Sequence, residues 1–226
     1  VHNLPGLPIG TFAIPTGPAM ASADTFTMTV EGKGGHAAMP HKCIDPVVIA
    51  AEIVLGSQAM ISRNTDPLAS AVLTFTTVNG GSTHNIIPDS VELGGTLRCL
   101  SPNDRERLQK QLVTRAQAIA ASHGATADVT WSDDGYPVTV NHAAEIGLTQ
   151  QVAESVAGSQ NVRLGAPPLM AAEDFAFMLE KKPGTYIFAG NGDSAGLHSP
   201  RYVFDDEGIP FGVSYFVNLV ETALPA

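Results

Sequence analysis

Cysteine and basic residues are scarce in this sequence, and no long apolar run occurs; each shortage excludes something. Cys43 and Cys99 are the only two cysteines. Two thiols without CxxC spacing make neither a disulfide scaffold nor a zinc or redox motif. Both read as free, partly buried small hydrophobes in a reducing compartment. Lys and Arg total 12 against 22 Asp and Glu, for a formal charge of −10 and a pI near 5.0. So acidic a chain lacks the clustered cations that nucleic-acid phosphates require, and it is equally unsuited to an anionic membrane surface. No apolar stretch approaches the roughly 20 residues that span a bilayer. No secretory leader is visible, although Val1 rather than Met stands first; the expected location is cytoplasmic. Repeats and low-complexity segments are absent too.

What is present is a globular balance. Hydrophobic residues make up 44%, charged residues 15%, and mean hydropathy is +0.10, so a buried core is expected rather than disorder. Three blocks divide the chain. Residues 1–21 are dense in proline and glycine (Pro5, Gly6, Pro8, Gly10, Pro15, Gly17, Pro18). Such a stretch suits neither a long helix nor a central strand and reads as an ordered connector.

In residues 22–136, Thr25 to Glu31 is β-branched and alternating, a strand. Asp45-Pro46 then opens a helix to Ser62, with Asp45 as N-cap and Val47, Ala50, Ala51, Val54 and Ala59 at helical spacing. Ala71–Val78 and Ser90–Leu100 read as strands, Ser101-Pro102 caps a helix to Ser122, and Ala125–Trp131 is a fourth strand. The order βαββαβ is that of a ferredoxin-like domain. Both helices would cover one face of its antiparallel sheet, leaving the other face or an edge free to pair. Residues 137–226 read as α/β: a helix over Ala143–Val156, a short one over Ala172–Leu179, an apolar strand Tyr186–Ala189, and a last helix over Glu207–Ala223. The fully apolar strand implies a sheet covered on both sides. The economical fold is a partial α/β domain (1–21 and 137–226) interrupted by an α+β, ferredoxin-like insert.

Few residues could carry chemistry. His2 lies just before a rigid Pro/Gly turn, and His198 lies between a Gly-rich loop and Pro200. Imidazoles held this way are pre-oriented as metal ligands must be, though either could be an ordinary loop residue. Gly32 to His41, GKGGHAAMPH, has an unusual backbone carrying His36 and His41. It lacks the order of a phosphate-binding Walker loop, which leaves an exposed Gly-rich connection or a site. Asn85 and Arg98 fall on or beside the insert's strands. Arg98 is a natural bidentate partner for a carboxylate and equally could be a solvated charge. His84, His123 and His142 read as bystanders. A GxSxG elbow, an HExxH helix, an Asp-His pair one residue apart and a Glu-Glu pair are all missing. Two histidines fall short of the three protein ligands that catalytic zinc normally keeps. On its residues alone the chain reads as a partner to chemistry.

Five strings, HNLPGLPIG, VEGKGGHAAMPH, NIIPDSVELGGTLR, AEDFAFM and GLHSPRYVFDDEG, occur in this order. Together they resemble hippurate hydrolases and related N-acyl-amino-acid amidohydrolases of the aminoacylase/carboxypeptidase superfamily of metallopeptidases. The resemblance implies a catalytic domain with two divalent metal ions, zinc, manganese or similar. It also implies a lid domain that forms a homodimer by pairing sheets edge to edge, and a small N-acyl amino acid as substrate. By the same resemblance His2 and His198 match metal ligands, and His36 matches the lid histidine that reaches the partner subunit's active site and polarises the scissile carbonyl. Asn85 and Arg98 match substrate-holding lid positions, Arg98 as a clamp on the amino-acid carboxylate. Glu173 of the AEDF string receives no definite role. The family's remaining ligands, a Cys-Gly-His-Asp stretch and a Glu-Glu pair with the water-activating glutamate, would lie upstream of Val1. This chain alone is therefore expected to bind metal poorly and to be inactive. The alternatives are a di- or carboxypeptidase of the same superfamily, or a non-catalytic dimerisation module.

Overall fold

The computed structural model describes residues 1–225. Along the chain run β1 (His2–Leu4), β2 (Phe12–Ile14), β3 (Pro18–Met20), β4 (Asp24–Glu31), β5 (Gly35–His36), α1 (Pro46–Ser62), β6 (Ala71–Asn79), β7 (Ile86–Ile87), β8 (Ser90–Cys99) and α2 (Pro102–Ser122). They are followed by β9 (Thr126–Trp131), β10 (Thr139–Val140), α3 (Ala143–Ala157), β11 (Val162–Leu164), α4 (Phe175–Leu179), β12 (Phe188–Gly190) and α5 (Ile209–Ala223). These elements form two compact units. One comprises Val1–Met20, Thr139–Leu169 and Glu173–Ala226; the other comprises Ala21–Val138 with Met170–Ala172.

The first unit is α/β. Its sheet has the order β1-β12-β2-β11, with β1 parallel to β12 and β11 parallel to β2. Alternation along β2 divides two cores. Ala13 packs with Leu7, Tyr186 and Phe188 on one face, while Phe12 and Ile14 pack with Val152, Ala153 and Tyr215 on the other. The sheet is thus covered on both sides, as the apolar strand implied. The Pro/Gly-rich block is more than a connector, and here the expectation is corrected. It carries three strands, and β2 is central in the sheet. Thr11 to Ile14 is a window free of Pro and Gly, long enough for three buried ladder residues, and the glycines and prolines around it make the turns.

The second unit is the βαββαβ insert. Its antiparallel sheet has the order β6-β8-β4-β9. Phe26, Met28 and Val30 of β4 point with Leu93 and Leu97 of β8 into a core closed by α1 and α2. The intervening Thr25, Thr27 and Thr96 lie on the opposite, helix-free face, as a period of two requires. Both helices start as expected. Asp45 accepts the Val47 N–H at 2.9 Å and Ser101 accepts the Asp104 N–H at 3.3 Å, each followed by a proline. The buried face of α1 is offset from the expected one: Ala50 and Val54 of the expected set do meet the core. Ile49, Ala50, Ile53, Ser57 and Met60 face the core, while Val47 and Ala51 are exposed.

Candidate functional site

In the α/β unit, β1 holds His2 beside β12, in register with Phe188. The imidazole is half-buried; its Nδ1 lies 2.6 Å from the Asn3 carbonyl oxygen. Nδ1 is therefore the protonated nitrogen, and Nε2 keeps its lone pair, the tautomer a metal-ligating histidine needs. The rings of Tyr186 and Phe188 flank it at centroid distances of 6.2 and 6.3 Å. The Tyr186 hydroxyl donates to Glu173 Oε2 at 2.5 Å. Burial opposes ionisation of Glu173. Hydrogen bonds from Tyr186, Asp174 and the Phe175 N–H, with His2 nearby, outweigh that burial and hold its carboxyl below the ordinary value. Glu173 in turn pushes Asp174 up, and burial with the Glu173 contact pushes the Tyr186 phenol up.

This use of Glu173 corrects the expected short helix. α4 begins at Phe175, and Asp174 at its N-cap makes no side-chain cap. Glu173 serves both neighbours: Oε1 accepts the Phe175 N–H at the start of α4 at 3.4 Å while Oε2 accepts from Tyr186.

The loop carrying His198 is tied to the strand carrying His2. Asn3 Nδ2 donates to the Tyr202 hydroxyl. Buried Asn191 takes the Leu4 carbonyl through its backbone N–H, gives its side-chain NH2 to the Val203 carbonyl, and accepts from the Asp205 N–H. His198 itself is exposed and has φ +64°, the only left-handed non-glycine among the described residues. Such strain collects at functional sites because the surrounding structure must over-determine it. Sequence reading missed Asn3, Tyr186, Asn191 and Tyr202. Their only signal was position, inside or beside the quoted strings.

In the insert, β5 and β7 pair antiparallel, His36 opposite Ile86, and the Ala37 N–H donates to the Asn85 carbonyl. This ladder brings His36 and Asn85 together. The Ala38 N–H donates to His36 Nδ1 at 3.1 Å, so Nε2 carries the proton and is a donor. Asn85 Oδ1 accepts from the Thr83 hydroxyl at 3.0 Å, leaving its NH2 group as a second donor. The glycines are required by contact. A Cβ on Gly34 would sit 2.5 Å from the Ile87 carbonyl oxygen, and one on Gly35 would sit 2.7 Å from Cys43 Sγ.

Arg98 is not part of that pair. It lies near the far end of β8, half-buried, opposite Val72 of β6, and donates to the Met170 carbonyl at 3.3 Å. His36 and Asn85 stand beyond the other, Ser90 end. Eight residue steps at a strand rise of roughly 3.3 Å separate the ends by about 26 Å.

Among the described residues no three His, Cys, Asp or Glu side chains come together as a metal ion would need. His2 and His198 offer two candidate imidazole ligands and do not by themselves fit a two-metal centre. Nor is any helix long and apolar enough to cross a membrane.

The chain is 36% identical over 217 residues to an N-acetyl-L-cysteine deacetylase of Bacillus subtilis, covering 96% of this chain and 51% of that protein. It is 34% identical over 217 residues to thermostable carboxypeptidase 1 of Saccharolobus solfataricus, covering 94% and 54%. It thus spans about half the length of the curated relatives it matches. Among solved structures, the Bacillus subtilis YXEP protein, described as a dinuclear metal binding peptidase, superposes with a TM-score of 0.82 at 29% identity. That match covers 99% of this chain and 56% of that one. The sequence model of peptidase family M20/M25/M40 matches residues 1–222, and this chain belongs to that family.

Proposed function

We propose that the intact protein is a metal-dependent amidohydrolase that cleaves N-acyl amino acids as a homodimer. His2 and His198 would be two of the ligands to its divalent ions, zinc or manganese. The observation that carries the catalytic part of this reading is the His36 tautomer. A backbone N–H occupies Nδ1 and makes Nε2–H a donor. Attack on an amide carbonyl places negative charge on its oxygen, and a prearranged N–H donor stabilises that charge more than it does the neutral ground state. Asn85, held on the same ladder, adds a second donor, and Arg98 would clamp the substrate's carboxylate.

Size supports the homodimer. An N-acyl amino acid is about 7–10 Å long on an extended-chain scale, so one insert cannot put both Arg98 and His36 on it. Strand β6 offers the remedy. It is a sheet edge of nine residues with no charged side chain, and it exposes Val72 and Val78 at 41% and 63%. Natural edges of that kind are normally blunted or covered. Two β6 strands paired antiparallel about a two-fold axis near Phe75 would lay the Arg98 end of one insert beside the partner's His36 and Asn85.

The test is a panel of N-acetyl, N-benzoyl and dipeptide substrates assayed on the intact protein and on His36→Ala. Hydrolysis of the N-acyl acids, falling about 10²–10³-fold in kcat for the variant, is expected. Undiminished turnover by His36→Ala would remove its role. The carboxypeptidase name of the Saccharolobus relative favours a second reading, cleavage of short peptides, which the dipeptides on the panel separate.

A further inference from the structure

We infer that Val72 selects the side chain of the amino-acid half of the substrate; this rests on the reading of Arg98 as the carboxylate clamp. Arg98 and Val72 are direct cross-strand partners on β8 and β6. Their side chains share the helix-free face, because the adjacent row, Leu97 with Leu73, and Cys99 on the other side of Arg98 are the ones buried in the core. Directly opposed residues on one face have Cβ atoms about 4.5–5.5 Å apart, which sets Val72 beside the Arg98 side chain and next to the space its guanidinium reaches. The row is apolar on the other flank as well. Asp24 is opposite Leu97, which puts Ala23, the preceding residue of the neighbouring chain segment, next along the row from Arg98.

The guanidinium is also prevented from swinging freely. Its Nη1 donates to the Met170 carbonyl, which fixes one arm of the fork and leaves the others for a ligand. A carboxylate bound there has its α-carbon about one residue's width from the pair. The side chain on that carbon then meets the methyl groups of Val72, the large apolar surface of this row. Val72 is 41% exposed in the subunit, so a ligand side chain that covers it gains apolar burial, and a hydrogen atom in its place gains none. The substrate class implied is N-acyl amino acids with aliphatic side chains, leucine or valine, in preference to N-acyl glycine.

The experiment compares N-acetyl-leucine with N-acetyl-glycine on the intact enzyme and on Val72→Thr, Val72→Ile and Arg98→Ala. Threonine keeps the shape and β-propensity of valine and replaces a methyl by a hydroxyl. Val72→Thr is expected to lower the leucine-to-glycine ratio of kcat/KM about tenfold, through KM, with kcat held, while Val72→Ile keeps the ratio. Arg98→Ala should raise KM for both acids alike. If Arg98→Ala leaves both KM values unchanged, the clamp falls and this inference falls with it. If Arg98→Ala acts as expected but Val72→Thr leaves the ratio unchanged, or weakens both substrates equally, the clamp stands and the role of Val72 is overturned.

Discussion

Cys99 is wholly enclosed at the end of β8, and its environment sets a pH dependence for the insert. Burial first, then the charges of Asp24 and Asp104, push its thiol up to about 12 against the opposing pull of Arg105 and Arg107. Below an unfolded value near 9 the thiol is neutral in both states. Above it the unfolded chain ionises while the folded one holds its proton, so stability falls as pH rises from about 9 to 12. Unfolding by urea at about pH 8 and about pH 10.5 should show this loss, and Cys99→Ala should reduce the difference. Next to it, Asp24 is 4% exposed and accepts three hydrogen bonds from Arg105, at 2.6 to 3.0 Å. Arg105→Ala would strand a buried carboxylate. Since the Arg105 side chain is 27% exposed, solvent softens the penalty, and a loss of about 2 kcal/mol is expected in denaturant midpoint at unchanged slope. Neither environment could be read from the sequence. Asp24 and Arg105 are distant in the chain, and on the helix pattern Arg105 belongs to a charged face.

At the scale of elements, what was legible followed from local chemistry. The caps at Asp45 and Ser101 and the alternation in β4 and β8 need no knowledge of neighbours. The phase of α1 did need it. Its sequence, PVVIAAEIVLGSQAMIS, is apolar on nearly every side, so spacing alone could not choose between the face of Val47 and that of Ile49. Packing against β4 and β8 chose the latter. Two- and three-residue strands such as β5, β7, β10 and β11 are shorter than any pattern can show, and β5 with β7 happens to be the ladder that joins His36 to Asn85. That ladder is directly testable. Gly34→Ala places a Cβ on the Ile87 carbonyl, which must move the β5–β7 pairing. Turnover is expected to drop at least tenfold, since displacement of about 1 Å is enough to disturb catalytic geometry. Ile87 is buried but belongs to no core cluster of the insert, so the denaturant midpoint should change far less than turnover. Asp45→Ala makes the contrast: it removes only the α1 cap and should cost about 1 kcal/mol of stability with activity retained.

For the molecule as a whole, one length decides how a site is assembled. Arg98 and His36 belong to the same insert yet lie about 26 Å apart by strand rise, too far for a single small substrate. If each site takes Arg98 from one subunit and the partner's His36, the two defects must complement. Assayed at substrate concentrations well below KM, the Arg98→Ala enzyme (through its raised KM) and the His36→Ala enzyme (through its lowered kcat) would each show little activity. In a heterodimer of the two, one site inherits both defects and the other inherits neither. Random reassociation makes half the dimers mixed, so about a quarter of wild-type activity should return on mixing and unfolding together. Were both residues to act from one chain, every site in the heterodimer would carry one defect and nothing would return. A charge on the β6 edge, Thr76→Lys, should oppose strand pairing and lower both the dimer fraction in sedimentation and the recovered activity. Loss of the dimer with activity intact would exclude a shared site even if each single substitution had behaved as expected.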